Sequence, residues 1–307
     1  MCVYSKDDPA QPWWAVPESI GFEKYYYSQP MPDGGQDNNR LEDFFSTIES
    51  DWPPLVSKIE HRERYEGGLD QLLQFALMHR VRVPTARDAV EKMLAESVRM
   101  TSRHMYDRGE LSPLPPGLTF DYVDQHTVIS IDPHKSIHAM ADLAKGVTRI
   151  FQWVGFEILE NKTDENFITS DNPVIYFDPT VPPRAIKPYN INRDRLDIEF
   201  MFPITPRFML WGHSVLKLRS ILHATPYREV LDREFVRRAN VLAARFANRM
   251  IFSNESRHQP LVRKYAGTSP VVSIAHANTG RGRAIFAQHV FGKREPKPKW
   301  TKRAQRA

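Results

Sequence analysis

Residues 156–177, FEILENKTDENFITSDNPVIYF, set the character of the chain. Short runs of β-branched and aromatic residues, Phe156 to Leu159, Phe167 to Thr169 and Val174 to Phe177, alternate with turn-forming clusters, the last being Ser170-Asp171-Asn172-Pro173. Runs of this length bounded by Asn, Asp, Ser and Pro predict strands joined by tight turns. Two further runs, Ile198 to Phe202 and Arg207 to Trp211, extend the pattern to a small, mainly antiparallel sheet.

Upstream the period is helical. Leu41, Phe44, Phe45 and Ile48 fall at i, i+3, i+4, i+7 within Arg40 to Ser50, and Leu69, Leu72, Leu73 and Ala76 repeat the spacing. Thr85 to about Tyr106 is a third helix with Val90, Met93, Leu94 and Val98 expected inward; a strand over Val128 to Ile131 and a helix from Pro133 to about Trp153 follow. Further on, Thr225 as N-cap with Pro226 at the first helical position predicts a long helix to about Met250, then a last strand over Ala284 to Val290.

The expected fold class is therefore α+β and predominantly helical: an N-terminal helical bundle packed with a small mainly antiparallel sheet, then a long C-terminal helix. An extended segment rich in aromatics and proline covers 1–38. One domain covers 39–292, helical over 39–154 and sheet-containing over 155–292, and a basic tail covers 293–307.

The 42 Lys+Arg against 37 Asp+Glu make a net +5. Residues 293–307 hold seven Lys/Arg and one Glu, a local +6, so the preceding 292 residues sum to −1. Basicity thus belongs to the tail, where Lys293, Arg294, Lys297, Lys299, Lys302 and Arg303 surround Trp300. Phosphate contacts with one stacking ring would suit nucleic acid, the one partner the sequence suggests; a solubilising end is the alternative. Cys2 is the sole cysteine, which excludes a disulfide framework and fits a reducing compartment. The most hydrophobic region, Val147 to Leu159, contains Arg149, Gln152 and Glu157, so no membrane span is expected, and the N-terminus lacks a secretory pattern. A soluble, cytoplasmic protein is expected.

Several motifs are absent: no GxxxxGK[ST] loop, no GxGxxG and no GxSxG elbow. His134, His138 and Asp142 share a helical spacing, but eight residues span about 12 Å at ~1.5 Å per residue, so the three cannot bind one ion. Glu160-Asn161-Lys162 superficially matches the end of a metal-dependent nuclease strand. Neither carries a metal assignment; the cofactor is left unknown, with a divalent ion compatible.

Two constellations remain. Asp171, flanked by Ser170 and Asn172, stands at a strand end where a scaffold can present a carboxylate; the same residues also suit a plain β-turn. Glu49 follows the buried stripe of its helix and needs a cation, for which His79-Arg80-Val81-Arg82 and Arg87 are available. Either a buried Glu–Arg pair locks two helices, or the carboxylate is catalytic and an arginine holds an anion.

The strings VYSK (3–6), SIGFEKYYY (19–27), LEDFFSTIE (41–49), QFALMHRVRVPTAR (74–87), QWVGFEIL (152–159), FITSDNPV (167–174), FPITP (202–206) and NVLAARFANRMIFS (240–253), taken in order, resemble the bacterial family grouped as domain of unknown function 4238. The resemblance implies a helical bundle with an accompanying sheet and supplies no activity. It also implies an HYVPxxYLxxF-type motif just upstream of VYSK, which this chain is expected to lack. The leading expectation is a hydrolase or nuclease acting on a phosphate-bearing substrate. Arg80, Arg87 and Asn172 would bind the substrate, and Asp171, Glu49 and Ser170 would be catalytic. The alternative is a non-enzymatic interaction or nucleic-acid-binding protein in which these charges are structural.

Overall fold

The structure, a computed structural model, describes residues 1–20, 29–30, 35–37, 40–63, 68–132, 139–192, 194–217, 226–279 and 282–294. Its first half runs β1 (Cys2–Ser5), β2 (Trp13–Trp14), β3 (Gln29–Pro30), β4 (Gln36–Asp37), α1 (Arg40–Ser50), α2 (Trp52–Glu60), α3 (Gly68–Arg82), α4 (Pro84–Asp107), α5 (Phe120–His126) and α6 (Met140–Gln152). The second half runs β5 (Gly155–Asn161), β6 (Thr169–Ser170), β7 (Ile175–Phe177), β8 (Glu199–Pro203), β9 (Phe208–His213), β10 (Tyr227–Val230), α7 (Arg233–Phe246), β11 (Met250–Ser253), α8 (Gln259–Tyr265), β12 (Ser269–Thr279) and β13 (Gly282–Gly292).

The architecture is mixed, not predominantly helical, and no long C-terminal helix exists among the described residues. The expected helix from Pro226 to Met250 divides into three elements: Tyr227–Val230 is a strand paired parallel to β5, Arg233–Phe246 is helical, and Met250–Ser253 is again a strand. The helix starts at Asp232, whose carboxylate accepts the Glu234 N–H at 2.9 Å. A local N-cap thus sets the boundary; Thr225 lies outside the described residues. The predicted final strand is the return arm of a long hairpin, β12–β13, with Val272 facing His289 in register. Val128 to Ile131 forms no strand, and Val128 is 90 % exposed.

The central sheet has the order β10-β5-β9-β8-β7, antiparallel except for the β10–β5 edge. Its strands read as continuous apolar runs rather than alternating ones because they are buried: β8 and β7 bury every residue. Phe151, Phe156 and Phe200 meet edge to face, and Trp52 of α2 stacks on Phe75 of α3 at 3.8 Å with Phe202 beside them, so helices close one face of the sheet. Burial of several rings at about 25 cal/mol per Å² dominates this interface. A second sheet, β2-β1-β11-β6, carries Cys2, Val3 and Tyr4 in its interior.

The inward face expected for the third predicted helix is corrected as well. In α4, Met93, Leu94 and Val98 are exposed; the helix buries Thr85, Ala86, Arg87 and Ala89 in its first turns instead.

Candidate functional site

Two of the sequence strings meet at the joint between α7 and β11. Lys6, just past β1, is 3 % exposed, and its ammonium donates to the carbonyls of Ala247 at 2.8 Å and Thr268 at 2.5 Å. Ala247 lies at the end of α7, where helical carbonyls lack intrahelical partners, so a buried cation satisfies them. On the other side, the Asp171 carboxylate accepts three backbone N–H bonds, from Asn248 at 2.8 Å, Arg249 at 2.7 Å and Met250 at 3.0 Å. Burial pushes the Lys6 amine down to about 7 while Asp171 pulls it up; burial likewise raises Asp171, against those N–H donors and Lys6. Asp171 is thus occupied by backbone. Ser170, whose Oγ accepts the Asn172 N–H at 3.2 Å, shapes the same turn.

Glu49 stands elsewhere. It is half-exposed on α1 and pairs with Arg82, which also reaches Glu42 at 3.7 Å. The helix-to-helix pair is present, but through Arg82 rather than Arg80 or Arg87, and at the surface. Arg87 is 1 % exposed and engaged by its neighbours.

Asn172 and Arg80 do come together, around a residue the sequence reading passed over. The Asn172 side-chain amide donates to the Phe246 carbonyl at 2.7 Å and to the Tyr189 hydroxyl at 2.5 Å. Tyr189 adopts the left-handed region, φ 57°, unusual for a bulky side chain, and its N–H donates to the Tyr176 carbonyl at 3.1 Å. The Arg80 guanidinium lies 3.6 Å over the centre of the Tyr189 ring, and His289 of β13 meets that ring edge-on at 5.2 Å. Arg80, Tyr176, Tyr189 and His289, with Val81 and the Asp142–Val147 face of α6, line a cavity of about 180 Å³.

Its electrostatics are unbalanced. Arg80 is 4 % exposed, its Nε has no hydrogen bond, and no described carboxylate lies within ion-pair distance. Tyr189 cannot neutralise it, because burial raises the phenol, although Arg80 pulls the other way. Asp142 is 80 % exposed at the cavity mouth and pairs with Lys145 at 3.0 Å. His289, its Nε2 unbonded, is pushed down to about 3 by burial and by Arg80, so it is neutral near pH 7. Cation–π stacking contributes about 2 kcal/mol or more to a desolvated guanidinium, and burying the charge without an ion pair costs several. The balance leaves room for an anion.

The residue pattern accounts for Arg80, which sits among basic residues on a helix. Tyr189 carried at best a turn signal from Pro188 and Asn190, and His289 carried none. His134, His138, Lys297, Lys299, Trp300, Lys302 and Arg303 lie outside the described residues. Arg294 pairs with Asp7. Among the described residues no group of three His, Cys, Asp or Glu is placed to hold a metal ion, and no helix is long and apolar enough to cross a membrane.

The family described as "Protein of unknown function (DUF4238)" matches residues 1–257. The chain belongs to that family. No curated protein and no solved structure matches it. In this DUF4238 member the matched region contains Lys6, Asp171, Asn172, Arg80 and Tyr189, while His289 lies beyond it.

The partly buried imidazole of His79 makes a pH prediction. His79, held against Phe75 and Phe202, is pushed down to about 4 by burial. With its folded value below the ordinary ~6.5, stability is complete above that pH and is lost as pH falls toward 4; each such group removes about 2 kcal/mol between pH 7 and 5. Urea melts at pH 7, 6 and 5 should show this slope, shallower in His79→Phe. A variant with the wild-type slope would remove His79 from the account.

Proposed function

We propose that this protein binds a small anionic molecule, a carboxylate or phosphate, in the cavity headed by Arg80. The observation that carries the reading is the buried guanidinium stacked on Tyr189 without a counter-charge among the described residues. An anion there would restore charge balance through charge-assisted, preferably bidentate, hydrogen bonds. Asn172 takes part indirectly, as the residue that holds the Tyr189 hydroxyl.

Hydrolysis of a phosphate-bearing substrate is not part of this reading. Asp171 and Glu49, the carboxylates expected to act as base, are directed to backbone amides and to Arg82, so binding rather than turnover is what the arrangement supports. The test is thermal denaturation of the full chain with acetate, benzoate, sulfate and inorganic phosphate at millimolar concentration, beside Arg80→Met. At least one anion should raise the melting temperature of the wild type and leave the variant unmoved. No shift with any of the four would end the reading.

A further inference from the structure

The cavity's walls narrow the ligand class, and this step rests on the anion-binding reading above. We infer that the ligand is a small organic monoanion, its charged end on Arg80 and an apolar or aromatic body lying along α6, with Gly146 setting how large that body can be.

Three observations converge. The first is charge placement: Arg80 is the one cationic side chain among the described residues lining the cavity, and it lies deep, 4 % exposed. Asp142 stands at the mouth. With Asp142 paired to Lys145, the rim adds no net charge, so a single deep cation accepts one negative charge at the inner end of a ligand and offers no partner to a second. Polyphosphates and nucleic acid are disfavoured on this ground.

The second is wall chemistry. Beyond Arg80, His289, Gly146 and Asp142 at the mouth, the lining comes from Val81, Leu143, Val147, Tyr176 and Tyr189. An inorganic ion would leave these surfaces unused, whereas a ring would cover them. The volume of about 180 Å³ suits a ring-sized body. Apolar cavities of roughly 150 Å³ bind benzene.

The third is Gly146. It lies inside α6, where glycine is a poor helix former, and it lines the cavity. A Cβ built there would meet no atom within 4 Å, so packing does not require glycine at this position. Gly146 is exposed and has open space around it at the edge of the cavity, which a bulky side chain would occupy.

The experiment is a titration of the full chain with benzoate, acetate and inorganic phosphate, followed by NMR line broadening and thermal shift. Benzoate should bind at least tenfold more tightly than acetate or phosphate. Gly146→Leu should weaken benzoate tenfold or more and leave acetate within threefold, and Gly146→Ala, melting no lower than the wild type, should fall between. Acetate or phosphate binding as tightly as benzoate, with both lost in Arg80→Met, would overturn the ligand class while leaving the anion site standing. Benzoate affinity unchanged in Gly146→Leu would remove Gly146. Binding of none of the three would take the anion site down with it.

Discussion

Asp171→Ala is expected to cost about 3 kcal/mol or more of folding stability and to leave anion binding by the folded protein unchanged. The carboxylate accepts the N–H groups of Asn248, Arg249 and Met250, and removing it strands three donors at a joint that is partly sheltered from water. Each unsatisfied donor costs about 1–3 kcal/mol, the lower figure applying where water can enter. Lys6 would also lose the opposite charge that supports its ammonium inside the fold. Asp171→Asn keeps one acceptor but turns an N–H group toward the same donors, so a loss of about 2 kcal/mol is expected. Denaturant melts at pH 7 measure both. An alanine variant as stable as the wild type would show that the carboxylate does not hold the joint, and a folded variant that loses anion binding would return Asp171 to the site.

The contrast between Asp171 and Arg80 shows what the sequence made legible. Strings such as VYSK, FITSDNPV and NVLAARFANRMIFS stand out because their polar residues satisfy backbone groups: Lys6 and Asp171 at the joint between α7 and β11, and, further back in α7, Asn240, whose side chain accepts the Ile168 N–H at 3.0 Å. A motif chosen for its distinctiveness is therefore as easily structural as chemical. Arg80 and Arg82 are two residues apart, about 200° around a helix, so they must face opposite ways. Spacing alone does not say which one meets Glu49; the packing of α1 against one side of α3 and of α6 and Tyr189 against the other decides it. In α4 the period of Val90, Met93, Leu94 and Val98 marks a face without saying what covers it. The break at Tyr227–Val230 arose from pairing with β5, some seventy residues earlier in the chain, which no local propensity encodes. His289 is reached only through the β12–β13 hairpin, more than 200 residues from Arg80.

Arg80→Met should separate binding from folding by moving them in opposite directions. In the absence of ligand the wild type carries the desolvation cost of a guanidinium that has stacking on Tyr189 but no ion pair among the described residues. Methionine fills much of the same volume, removes that cost and forfeits about 2 kcal/mol or more of cation–π attraction. Stability without ligand is therefore expected to be unchanged or higher by about 1–2 kcal/mol. With an anion at ten times its Kd the wild type gains about 1.4 kcal/mol and the variant nothing, so the wild type gains on the variant as ligand is added. Arg80→Lys, which keeps the charge but not the planar fork, should retain part of the binding, because a bidentate site is built for the guanidinium. Melts of the three proteins across a benzoate titration read all of this in one experiment. A loss of more than 2 kcal/mol in ligand-free Arg80→Met would mean that the guanidinium is held by the fold for the fold's own sake, and the cavity would then have no reason to attract an anion.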